Sequence, residues 1–222
     1  MDAALTAKPE HLETPREETA SMLTHLAGGL LAAAGLVVLV IVAARAHDPR
    51  RVVAVSIYGA SLVLMYSASS CYHFVGPPQL KRRLKIVDHA SIYLLIAGTY
   101  TPILLIAMRG AWGWSLFGIV WSMAIAGVIL KLFYVDRFKA LSTAIYVLMG
   151  WLVCIEAKSL FASVPHNGII WLFAGGISYT GGVVFYLWDR LPFNHAIWHL
   201  FVIAGSVCHF LAVLFYILPV VK

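Results

Sequence analysis

The 222-residue chain is short of charge. Asp, Glu, Lys and Arg make up 12% of it, where an average soluble domain has about 25%. Hydrophobic residues make up 61%. A soluble fold of this length buries too small a share of its surface to hide that much apolar area. The shortage therefore excludes a cytosolic enzyme, a disordered chain and a nucleic-acid binder. Cysteine is equally scarce. Cys71, Cys154 and Cys208 are an odd number, far apart, each inside an apolar run, so no CxxC pair or disulfide framework exists. The segment Met1–Glu18, with Pro9, Pro15 and four glutamates, has no apolar centre. It is not a cleavable signal and reads as a mostly solvated N-terminal tail, residues 1–18, ahead of a single domain, residues 19–222.

What is abundant is long apolar runs. A helix needs about 20 apolar residues to cross the hydrocarbon core, and the chain offers seven such stretches. No charged residue lies between Glu18 and Arg45, so the first span fits Leu23–Ala44. The second runs from Val52 to about Val75, where Gly76-Pro77-Pro78 stops it. The third starts near Leu84 or Asp88 and ends before Arg109, and the fourth fits Trp112–Leu132. The fifth lies between Lys139 and Phe161 and is the weakest, because Glu156 and Lys158 leave a charge-free core of only Ala140–Ile155. After the turn Pro165-His166-Asn167-Gly168, the sixth runs to about Trp188, and the seventh from near Phe193 to Leu218. The fold class expected is all-α: a polytopic membrane protein, a seven-transmembrane-helix bundle with short loops. Trp112, Trp114, Trp171 and Trp188 fall near span ends, as an interfacial aromatic belt requires.

Seven spans put the termini on opposite sides. One side collects the N-terminal tail and the second, fourth and sixth loops, with ten Lys and Arg; the other collects six. The run Lys81-Arg82-Arg83-Leu84-Lys85 carries most of the difference and suits anionic headgroups. The positive-inside rule then makes the N-terminus cytoplasmic.

Ionisable groups inside spans are costly and tend to mark function. His73 near the end of the second span, Asp88 near the start of the third, and His195 and His199 in the first turns of the seventh come to one depth. His195 and His199 are i and i+4, on one helical face, as are Ser69 and His73. Three imidazole nitrogens with an open position is the ligand set of a catalytic zinc. His73, His195 and His199 would supply them, Asp88 would orient a water at the metal, and Ser69 would donate into the same pocket. Each residue also has a plainer use: His73 half-solvated beside the Gly-Pro-Pro stop, Asp88 capping its helix beside Lys85, His195 as a helix cap. HxxxH alone is a weak pattern, and it lacks the glutamate of a zincin protease. His25 lies on the same side as a spare ligand or structural partner. His89 points about 100° away from Asp88, and His209 is too far along its helix to join. His11, His47 and His166 read as tail or loop residues. The seventh span has no lysine for a retinal Schiff base.

Taken in order, Glu17-Glu18 before His25-Leu26-Ala27-Gly28, Ser69-x3-His73, Asp88-His89 with Ala97-Gly98-Thr99-Tyr100-Thr101-Pro102, and His195-x3-His199 resemble the hemolysin III family. That family is the bacterial branch of the progestin and adipoQ receptor proteins, within a broader group of seven-helix membrane hydrolases. The resemblance implies zinc as cofactor, held by His73, His195 and His199 on the cytoplasmic side, and Asp88 contacting a water on the zinc. It implies an integral protein of the bacterial inner (plasma) membrane. Adiponectin receptors and alkaline ceramidases of the wider group are associated with ceramide amide hydrolysis. A zinc-dependent lipid amide or ester hydrolase follows, with Asp88 and Ser69 catalytic and a membrane lipid as substrate or ligand. A non-enzymatic sensor or membrane-homeostasis protein with structural zinc is the alternative. A pore-forming hemolysin fits less well, because a pore needs a polar lining that these helices lack.

Overall fold

The computed structural model describes residues 13–219; residues 1–12 of the expected tail, with His11, lie outside them. Among the described residues, seven helices are long and apolar enough to cross a membrane: Pro15–Ala44, Pro49–Phe74, Pro78–Ala107, Ala111–Tyr134, Lys139–Ser163, His166–Leu187 and Asn194–Ile217. They are called the first to seventh helices below. This is a multi-pass, all-helical integral membrane protein. The first packs on the second, the second on the third, the third on the fourth, the sixth on the seventh, and the seventh back on the first. The third is the most enclosed. Large apolar side chains such as Leu30, Leu31, Phe133, Ile177 and Phe215 point outward, the reverse of a water-soluble bundle. All three cysteines are free.

Local sequence explains the helix ends. Thr14 caps the first helix: its hydroxyl accepts from Glu17 N–H while the Glu17 carboxylate accepts from Thr14 N–H at 2.8 Å, a capping box. Asp48 caps the second through Arg50 N–H at 3.0 Å, with Pro49 in the first turn. The first helix thus begins at Pro15, eight residues before its apolar run, and takes in the end of the segment that composition alone assigns to a solvated tail. Charge content marks where hydrophobicity starts, whereas capping chemistry marks where the helix starts.

Two helices are interrupted, and the seventh ends in a π turn, Val213–Ile217. Pro102 removes a donor inside the third helix, and a π turn, Ile103–Ala107, follows it. The fifth helix, weak by composition, breaks into a 3-10 turn at Leu152–Glu156. There the Tyr100 hydroxyl donates to the Gly150 carbonyl at 2.8 Å and accepts from Val153 N–H at 3.0 Å. One side chain of the third helix thereby satisfies backbone groups that hydrocarbon could not.

At mid-bundle, Ser206 ties three helices together. Its Oγ lies 2.8 Å from the hydroxyls of both Tyr66 and Tyr179. At one end, Arg51 Nη1 donates to the Leu218 carbonyl and its Nε lies 3.6 Å from Asp48, fastening the second helix to the end of the seventh. The opposite end, where the second helix stops and the third and seventh begin, carries the histidines.

Candidate metal centre

The second helix runs down to His73 and the seventh starts at Asn194, so two segments far apart in sequence present imidazoles at one depth. His73, His195 and His199 each offer a nitrogen, and these three lie within 4.8 Å of one another. Ring centroids are 4.9 Å apart for His73 and His195, 5.3 Å for His73 and His199, and 4.6 Å for His195 and His199. His73 is 5% exposed and His199 fully enclosed, which removes the half-solvated use of His73. His195 is not the cap of its helix, since Phe193 holds that position.

The Nε2 atoms of all three rings are buried and have no hydrogen-bond partner. Their Nδ1 atoms, by contrast, are held from outside the cluster. His73 Nδ1 lies 2.8 Å from Glu18 Oε2, and His195 Nδ1 lies 3.4 Å from Glu13 Oε1. His199 Nδ1 lies 3.1 Å from both the Ser21 carbonyl and the Thr24 hydroxyl. A carbonyl can only accept, so His199 Nδ1 carries the proton and its Nε2 presents a lone pair. Carboxylates impose the same tautomer on the other two rings. This is the support that metal-ligating histidines receive, and it turns three lone pairs toward one point. Three buried, convergent, unpartnered nitrogens fit a bound metal ion and are costly without one.

Every one of those supports comes from Glu13 or from the start of the first helix. Glu17 belongs to the same edge: its Oε1 accepts from Phe193 N–H at 2.9 Å, just ahead of the seventh helix. Lys81 Nζ, 2.7 Å from Glu18 Oε1, holds the other side of that carboxylate. Glu13, Glu18 and His73 form a second group with metal-binding spacing, but it is the outer face of the same His73 ring, already engaged by these contacts. Burial, reinforced by the neighbouring Glu18 and Glu17, raises the Glu13 pKa to about 7. A cation at the histidines would oppose that shift and keep the carboxylate ionised.

The other sequence-derived candidates fall into place around this set. Asp88 and Ser69 are both buried, and the serine hydroxyl lies against the Asp88 carboxylate. Asp88 does not join the three-nitrogen group. His25 is also outside it: its ring stacks on His199 with centroids 3.3 Å apart and meets Tyr66 edge-on at 5.0 Å. Gly28 permits this, since a Cβ there would come within 2.7 Å of the Tyr66 ring. His89 is outside the group as well, its Nε2 4.0 Å from Asp88 Oδ2. His209 lies deeper and donates to its own helix at Gly205 O, 2.9 Å away.

A cavity of about 130 Å³ adjoins the centre, between the third, fifth, sixth and seventh helices. Leu95, Tyr100, Val147, Val183 and Val202 make its wall apolar. Trp198 and Tyr186 form the end nearest the metal centre; their rings lie 5.4 Å from His199 and 5.8 Å from His195. From Trp198 to His209, both in its lining, is about 16 Å along the helix axis.

Sequence reading finds the three histidines and passes over their supports. Glu13 sits in the stretch taken for tail, and Ser21 and Thr24 have unremarkable side chains. A signal was present: Glu17, Ser21, His25 and Gly28 recur at helical spacing and are all buried.

Comparison with known proteins agrees with this architecture. The family model described as "Haemolysin-III related" matches residues 14–210. The chain is 47% identical over 204 residues to "Hemolysin-3" of Bacillus cereus, covering 92% of this chain and 93% of that one. It is 46% identical over 207 residues to "Hemolysin-3 homolog" of Bacillus subtilis (strain 168), covering 93% and 97%. At greater distance it is 32% identical over 165 residues to the human "Monocyte to macrophage differentiation factor", covering 71% and 67%. With seven apolar helices, a convergent histidine cluster and a match along nearly its whole length, the chain belongs to the haemolysin-III related family.

Proposed function

We propose that the protein is a zinc-dependent intramembrane hydrolase of a lipid amide or ester. The observation that carries the reading is the trio of buried Nε2 atoms without partners on His73, His195 and His199. Histidine nitrogens at this spacing suit zinc among the common ions, and three of them leave a position open. Zinc at such a site supplies a Lewis acid and a water acidic enough to react near neutral pH. Asp88 would act as general base toward the attacking water and as general acid toward the leaving nitrogen or oxygen as the acyl C–N or C–O bond breaks. Ser69 Oγ donates to the oxygen that gains charge on the scissile carbonyl. The apolar cavity holds the acyl chain, with Trp198 and Tyr186 delivering its polar end to the histidines. The histidine end is proposed to face the cytoplasm, because the N-terminal tail and the loops on that side carry ten of the sixteen Lys and Arg residues.

The test begins with metal analysis of purified protein. About one zinc per chain is expected in the wild type, lost in His73→Ala and His199→Ala. Zinc-loaded protein is then incubated with a broad lipid panel. Fatty-acid release that Asp88→Asn abolishes while zinc stays bound supports hydrolysis. No release from any lipid, with cellular function indifferent to Asp88→Asn, overturns it.

A second reading, zinc as a structural pin in a membrane-homeostasis protein, draws on one observation. The ligands come from the second and seventh helices and their supports from the first, so an ion there would fasten three helices. It expects zinc removal to lower thermal stability while the remaining function tolerates Asp88→Asn.

A further inference from the structure

At its deep end the apolar cavity beside the metal centre meets an imidazole that the chemistry above does not use. His209 of the seventh helix stands in the cavity wall. Gly175 of the sixth helix makes space for the ring, since a Cβ there would collide with it, and the Tyr179 ring packs 5.5 Å from it, centre to centre. His209 Nδ1 lies 2.9 Å from the Gly205 carbonyl. A carbonyl only accepts, so Nδ1 carries the proton of the neutral ring and Nε2 keeps a lone pair. Among the described residues no donor meets that lone pair.

The neighbouring donors in the wall are already spent. Thr99 donates to the Leu95 carbonyl, Thr180 to the Gly176 carbonyl and Tyr100 to the Gly150 carbonyl, each at 2.8 Å. Trp151 Nε1 donates to Thr180 Oγ1 at 3.0 Å. An acceptor in an apolar wall is costly unless something donates to it. A plain hydrocarbon chain has nothing to donate, and a ketone or ester can only accept. An alcohol can donate.

Geometry says where on a chain that alcohol must sit. Trp198, at the end nearest the histidines, and His209 are about 16 Å apart along the helix axis. An extended chain of carbon–carbon bonds about 1.5 Å long advances about 1.25 Å per carbon, so the distance is about twelve carbons. The cavity volume of about 130 Å³ agrees, being room for on the order of ten waters or a like number of methylene groups.

We infer that the cavity selects an acyl chain with a hydroxyl about ten to twelve carbons from its polar end, His209 Nε2 accepting from that hydroxyl. The inference rests on the reading above for the chain lying in this cavity with its polar end at the histidines. It requires neither zinc nor turnover.

Competition binding to the purified, chelator-treated full-length chain tests it, with three twelve-carbon acids as probes: 11-hydroxydodecanoate, 6-hydroxydodecanoate and 11-oxododecanoate. The two alcohols carry the same desolvation cost, and the ketone matches the first in position but cannot donate. One hydrogen bond to His209 should make 11-hydroxydodecanoate bind about threefold to tenfold tighter than either of the others. His209→Phe keeps an aromatic ring and removes the acceptor, so it should erase that margin. Equal binding of the three acids to the wild type overturns the proposal, and so does a ketone that binds as well as its alcohol. A margin that survives in His209→Phe overturns it too. Should that variant fail to fold, the wild-type series alone decides. A margin without fatty-acid release from any lipid would sink the hydrolase reading alone, and release with the three acids bound alike would sink this one alone.

Discussion

At the scale of single residues, the metal centre depends on atoms one step removed from any ion. Glu18 fixes the His73 tautomer through a 2.8 Å contact, so Glu18→Gln should keep all three ligands yet weaken zinc binding about 10–100-fold. A chelator competition titration checks this, and unchanged affinity would show that the carboxylate is a bystander. Glu13 gives a pH signature. Its raised pKa means the folded, metal-free protein holds this proton more tightly than the unfolded chain does. The stability it contributes is complete below the ordinary carboxylate value of 4.5 and is lost as pH rises through about 7. Glu13→Gln should flatten that part of the pH profile of thermal unfolding in chelator-treated protein.

At the scale of elements, the broken fifth helix leans on the third. Tyr100→Phe removes the hydroxyl that serves both Gly150 O and Val153 N–H. With two backbone groups left unsatisfied, it should cost about 1–3 kcal/mol. Faster amide exchange confined to residues 150–156 would locate the loss at the break. The weakness of this helix was legible from Glu156 and Lys158, as were the stops at Pro77-Pro78 and before Arg109. The start of the first helix was not. Hydropathy registers where lipid contact begins, and the capping pair Thr14 and Glu17 lies in polar sequence before that point. The pairing of His73 with His195 and His199 was readable because each helix has a known rise and the spans have known ends. The face that each ring's second nitrogen meets depends on how helices rotate against one another, and spacing carries no record of that.

At the scale of the whole molecule, an ion held by the second and seventh helices and supported by the first would close the circle of packing that runs from the seventh helix back to the first. Zinc at 100 times its dissociation constant should stabilise the fold by about 2.7 kcal/mol. A rise in melting temperature on adding zinc to chelator-treated wild type, absent in His199→Ala, checks that coupling. The orientation proposed from loop charge has its own check. Reporter fusions at the loops following Phe74 and Leu187 should both report the cytoplasm, while one following Ala107 should report the opposite face.

The dependence of all three rings on the stretch from Glu13 to Thr24 has a practical side for anyone handling the protein. Trimming the leading end past Glu13 to promote crystallisation, or fusing a bulky purification handle hard against it, would dismantle the scaffolding that aims the imidazoles. Handles belong at the trailing end, beyond Pro219, where the seventh helix finishes on the far side of the bilayer from the histidines.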